Sequence, residues 1–91
     1  MRAITITTQG DPVTPNIAVV EDWPEPTPAD GEVLVRTEAS ALNHLDLWVG
    51  RGLPGIDAYP RVGGSDGCGT VEAVGHGVDD AWIGRRVVLN A

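Results

Sequence analysis

Gly64-Ser65-Asp66-Gly67-Cys68-Gly69-Thr70-Val71-Glu72-Ala73-Val74-Gly75-His76-Gly77-Val78 is the stretch on which the fold of this 91-residue chain is read. Its middle, Thr70 to Val74, has the β-branched, apolar make-up of a strand. Glycines crowd both ends: Gly67 and Gly69 lead into the strand, and Gly75-His76-Gly77 predicts a turn after it. His76 stands between two glycines and is expected to be solvated. Cys68 has no nearby base and reads as a small buried residue. Gly75-His76-Gly77-Val78-Asp79-Asp80 begins like a dinucleotide fingerprint. The third glycine is missing and no helical pattern follows, so that reading is rejected.

Working outward, the chain punctuates itself into short strands. Ala3 to Thr7 alternates and is β-branched, Gln9-Gly10-Asp11-Pro12 predicts a turn, and Ile17 to Glu21 predicts a second strand. Trp23 to Pro28 holds three prolines and predicts an extended loop. Glu32 to Ala39 is the clearest strand, with Glu32, Arg36 and Glu38 on one face and Val33, Val35 and Ala39 on the other. Asn43 to Val49 is the single predicted helix. Asn43 suits the N-cap, Asp46 stands three residues on as a capping-box partner, and Leu42 and Leu47 occupy the two staple positions. Leu45, Trp48 and Val49 form an apolar stripe that predicts core packing, and Gly50 and Gly52 are expected to stop the helix. Arg51 to Arg61 reads as a loop, and Arg86 to Asn90 as a last strand. Short strands, glycine turns and one short helix define a mainly β fold, a small and partly open barrel.

Composition narrows the partners. Net charge is -7, with 13 acidic against 6 basic residues, so no basic patch exists to meet nucleic acid. No apolar run approaches the roughly 20 residues of a membrane span. Cys68 is the only cysteine, which excludes a disulfide framework and a four-cysteine zinc lobe. No signal peptide is visible, and a reducing, cytoplasmic setting is the expectation.

The spacing of Gly64, Gly69, Gly75 and Val78 resembles the signature of zinc-containing alcohol dehydrogenases: Gly-His-Glu, two residues, Gly, five residues, Gly or Ala, two residues, a small apolar residue. Ser65 and Asp66 stand at the His and Glu positions. Three further segments carry the resemblance. Glu25 to Arg36 is similar to the Pro-rich loop that runs into "GEVLVR", and Gly84-Arg85-Arg86-Val87 is similar to "Gly-Asp-Arg-Val". Ala39 to Asp46 matches the segment holding "Cys-His-Thr-Asp" in zinc members and "Asn-Pro-x-Asp" in quinone oxidoreductases. The chain is thus identified as a member of the medium-chain dehydrogenase/reductase superfamily, over its N-terminal GroES-like domain. The resemblance implies that residues 1–91 are that domain truncated at its C-terminal end, with the Rossmann domain absent. It implies NADPH as cofactor, held mainly by that domain, and a small-molecule quinone or α,β-unsaturated carbonyl as substrate.

A catalytic zinc needs three protein ligands and an open position. By resemblance the first two ligands fall at Asn43 and Ser65, neither suited to a borderline-soft ion. No zinc is therefore expected. Without a Lewis acid the acceptor must be polarised by hydrogen bonds. The resemblance puts Asn43 beside the nicotinamide and Asp46 with it as catalytic candidates, although both also serve as cap residues. His44 matches the cofactor-phosphate histidine of the zinc pattern. Leu45 replaces the hydroxyl that relays a proton in the alcohol dehydrogenases. Trp48, Tyr59, Ser65 and Asp66 are the candidate substrate-side residues. A zinc alcohol dehydrogenase relative with an altered metal site, and a non-enzymatic co-chaperonin-like module, are the alternatives. The Arg86 to Asn90 strand would leave an unpaired edge, so a homo-oligomer is expected.

Overall fold

The structure is a computed structural model and describes residues 1–89. In chain order the elements are β1 (Ala3–Ile6), a 3-10 turn (Thr14–Asn16), β2 (Ile17–Val20), β3 (Val33–Ala41), α1 (His44–Arg51), β4 (Arg61–Val62), β5 (Asp66–Val74), a second 3-10 turn (Asp80–Trp82) and β6 (Arg86–Val88). The mainly β, GroES-like class with one short helix is borne out: among the described residues six strands lie in two three-stranded sheets, and neither sheet closes on itself. The chain divides into two compact units, Met1–Pro24 with Leu42–Ser65, and Glu25–Ala41 with the residues from Asp66 on.

The first unit is built on the antiparallel sheet β2-β1-β4. The central strand β1 contributes buried Ala3, Thr5 and Ile6. Thr5 is the one buried polar residue among those described, and its hydroxyl donates to the Ala18 carbonyl at 3.2 Å. That bond satisfies a group which would otherwise be costly to bury. Strand β4 was hidden in the sequence because Arg61–Val62 follows a Gly/Pro-rich loop and pairs for only two residues, with Ile6 and Thr5.

The second unit is the antiparallel sheet β3-β5-β6. Its middle strand begins at Asp66, four residues before the predicted start. Gly67-Cys68-Gly69 reads locally as loop, but β3 and β6 pair with it on both sides. Two bulges shape the β3–β5 ladder. Partners step from Leu34↔Ala73 to Val35↔Val71, passing over Glu72, and from Thr37↔Gly69 to Ala39↔Cys68, passing over Glu38. One extra residue on each strand restores the register. Both extra residues are glutamates, and both find partners. Glu72 pairs with Arg36, while Glu38 accepts from the Thr70 hydroxyl at 2.7 Å and from Arg86 at 3.1 Å. The Thr70 bond, with help from Arg86, holds the Glu38 carboxyl below its ordinary value against an opposing effect of burial. Strand β6 is seen over Arg86–Val88, and the end of the strand expected to reach Asn90 lies outside the described residues.

The glycines of the opening stretch have separate reasons to be glycine. Gly64 has φ +95°, a conformation that side chains disfavour. Gly69 and Gly75 are crowded instead. A Cβ on Gly69 would overlap the Arg36 carbonyl, and one on Gly75 the Ala29 carbonyl. The Gly75 N–H also donates to the Glu32 carbonyl at 2.8 Å, and Gly31 N–H to the His76 carbonyl at 3.0 Å, so the glycine turn ties the two strand ends together. His76 is exposed, as expected, and Cys68 is half-buried.

Candidate functional site

Five of the sequence-predicted residues, Asn43, His44, Asp46, Trp48 and Tyr59, lie on or beside helix α1 in the first unit, and Ser65 closes that unit. Asp66 opens β5 in the second unit. The helix starts as predicted. Asn43 is extended (φ -137°, ψ 148°), its Oδ1 accepts from Leu45 N–H at 2.9 Å, and its own N–H donates to Asp46 Oδ2 at 3.0 Å. This is a capping box, which removes two of the donors left unpaired at a helix start. The staple does not form, since Leu42 is 98% exposed. Asn43→Ala should lower unfolding free energy by about 1 kcal/mol and Asn43→Asp by much less, as read from denaturant unfolding. Equal losses in the two variants would show that the cap is not what Asn43 contributes.

The other end differs from the prediction. Gly50 lies inside the helix, buried against Val13, and Gly52 is the C-cap at φ +116°. Docking through Gly50 turns the helix so that Leu45 and Val49 are half-buried while Trp48 is 49% exposed. The expected core packing of Trp48 is thereby corrected. Its ring meets His44 edge-on, centroids 5.0 Å apart and planes at 62°, as residues four apart on a helix can. Tyr59 is half-buried, and its hydroxyl donates to the Val49 carbonyl at 2.7 Å.

Ser65 Oγ is buried, with no hydrogen-bond partner among the described residues. Such a group is uncommon. Among the described residues no three His, Cys, Asp or Glu side chains group into a set that could hold a metal ion. The Asn43 oxygen is engaged in capping, and Ser65 offers a hydroxyl. No described helix is long and apolar enough to cross a membrane. An open depression of about 410 Å³ lies in the second unit, lined by Gly31, Val33, Gly77, Val78, Asp79 and Trp82, and none of the expected site residues borders it. Gly10 and Val13, which hold the helix, were missed by sequence reasoning because both lie far from it along the chain.

Two sheets of short strands, one capped helix and the glycine turn make up a small, mainly β domain. Residues 29–91 match the alcohol dehydrogenase GroES-like domain family, and the chain belongs to that family, within the medium-chain dehydrogenase/reductase superfamily. It is 37% identical over 87 residues to alcohol dehydrogenase 1 of Caenorhabditis elegans, covering 93% of this chain and 23% of that protein. It superposes on a solved NAD-dependent alcohol dehydrogenase with TM-score 0.84 at 44% identity, covering 99% of this chain and 26% of the other. A mycobacterial quinone oxidoreductase gives TM-score 0.82 at 41% identity, covering 97% and 27%. The chain therefore spans about a quarter of the length of these relatives. The family is one of nicotinamide-linked oxidoreductases.

Proposed function

We propose that these residues form the substrate-side domain of an NADPH-linked oxidoreductase that works without zinc and reduces quinones or α,β-unsaturated carbonyls. The observation that carries this reading is the pair at the family's metal-ligand positions, a capping carboxamide at Asn43 and a buried hydroxyl at Ser65. A bound nicotinamide, held mainly by a Rossmann domain outside residues 1–91, would supply the hydride. The residues here would then orient an electron-poor acceptor and polarise it by hydrogen bonding. Ser65 is read as a hydroxyl toward the acceptor, with Asp66 beside it in sequence. The half-exposed Trp48 ring is a wall for a planar apolar acceptor. His44, exposed in the first turn of the helix, is read toward the cofactor phosphates. Asn43 is read toward the nicotinamide, with Asp46 holding it in place through the capping box. A cytoplasmic homo-oligomer completes the reading.

Two measurements test it. Protein purified without chelator should hold far less than one zinc per chain by elemental analysis. About one tightly held zinc per chain, lost on Asp66→Ala, would sink the zinc-free reading. Where these residues are joined to a nicotinamide-binding domain, NADPH-dependent reduction of a naphthoquinone should survive prolonged chelation. Loss of turnover that added zinc restores would return the protein to the alcohol dehydrogenase reading.

A further inference from the structure

We propose that Tyr59 is a positioning residue: its hydroxyl, together with the Gly10 backbone, closes the C-terminal turn of α1 and so sets where His44 and Trp48 stand. A helix leaves its last carbonyls without intrahelical donors. Here Trp48 C=O is met by Gly52 N–H at 2.9 Å. Beyond that the chain leaves the helical path, because Gly52 sits at φ +116°. The residue four beyond Val49 is Leu53, past this bend, and the residue four beyond Gly50 is Pro54, which has no N–H to give. Both carbonyls are satisfied from elsewhere in the chain. Tyr59 O–H donates to Val49 C=O at 2.7 Å, and Gly10 N–H donates to Gly50 C=O at 2.9 Å. The buried Val13 side chain lies against the Gly50 backbone. The Arg51–Asp11 ion pair at 3.8 Å is largely exposed and adds little.

This clamp matters because α1 has only eight residues, too few to be stable by itself. The capping box fixes where the helix begins but, being local, says nothing about where the helix points. Its direction is set at the other end, by donors from the Gln9–Val13 loop and from Tyr59. Among the described residues the ring contact of Trp48 is with His44, four residues back on the same helix, so the pair moves with the helix. The catalytic consequence rests on the reading of Trp48 as an acceptor wall, whereas the clamp itself does not.

The test uses amide exchange and indole NMR on the 91-residue chain with no cofactor or acceptor present, so it is indifferent to whether a quinone is ever reduced. Tyr59→Phe removes one hydroxyl and keeps the ring. The Gly10 amide should then exchange about fivefold faster, and the Trp48 indole resonance should move. The β1 amides and the Trp23 and Trp82 indoles should stay as they were. Faster exchange throughout the first unit with the Trp48 resonance unmoved would show a merely structural tyrosine and overturn the proposal, as would no change at Gly10. Should the variant not fold, the unaltered chain decides: a slowly exchanging Tyr59 hydroxyl proton with a cross-peak to Val49 or Gly50 supports the clamp, and exchange at the rate of a free tyrosine removes it.

Discussion

Gly75→Ala and Gly69→Ala should each destabilise the protein by about 3 kcal/mol or more. The added methyl would lie 2.8 Å from the carbonyl carbon of Ala29 in the first case and of Arg36 in the second, overlapping the oxygens themselves. Backbone cannot swing aside as a long side chain can. At Gly75 the obstructing segment is pinned by the Gly75–Glu32 and Gly31–His76 bonds, and at Gly69 by the β3–β5 ladder. Gly77 supplies the contrast. It has φ +84° and open space around the Cβ position, so Gly77→Ala should carry only conformational strain, about 1–2 kcal/mol. Denaturant unfolding followed by far-ultraviolet circular dichroism would rank the three. Gly75→Ala no worse than Gly77→Ala would mean that the strand ends do not approach as closely as described.

Gly50→Ala is expected to lower stability by about 1–3 kcal/mol, although alanine is the better helix former by about 1 kcal/mol. Propensity loses here because the new methyl would stand 3.1 Å from Val13 Cγ2 and closer still to Cγ1, and Val13 is itself buried and stiff at χ1. Truncating the obstacle should reverse the sign. Combined with Val13→Ala, the same substitution should fill space rather than overfill it, so the double variant should be more stable than the two single losses sum to, by about 1 kcal/mol or more. Strict additivity in that cycle would show that α1 does not dock through Gly50. Because Val13 and Gly10 hold the same helix turn that carries Trp48, this cycle also bears on how the candidate site is supported.

The amino-acid sequence by itself determined what depends on neighbours a few residues away. The capping box of Asn43 and Asp46 was legible because both hydrogen bonds close within three residues. The strands were legible in outline from β-branched runs, and the glycine spacing from Gly64 to Gly75 was enough to reach the family. The residue types at Asn43 and Ser65, which the resemblance sets at metal-ligand positions, likewise needed no coordinates. Tertiary structure decided the rest. It alone separates Gly64, needed for its φ, from Gly69 and Gly75, needed for space, since the carbonyls they face come from another strand or turn. Gly67-Cys68-Gly69 became strand because β3 and β6 supply partners on both sides, a non-local gain that outweighs glycine's weak local preference. Gly50 stayed inside the helix because Val13 and Gly10, distant in the chain, dock on the helix at Gly50, and in that docking Trp48 is left 49% exposed. Local propensity reports only the energy of a few adjacent residues, and the rotation of a two-turn helix about its axis is decided by what packs against it.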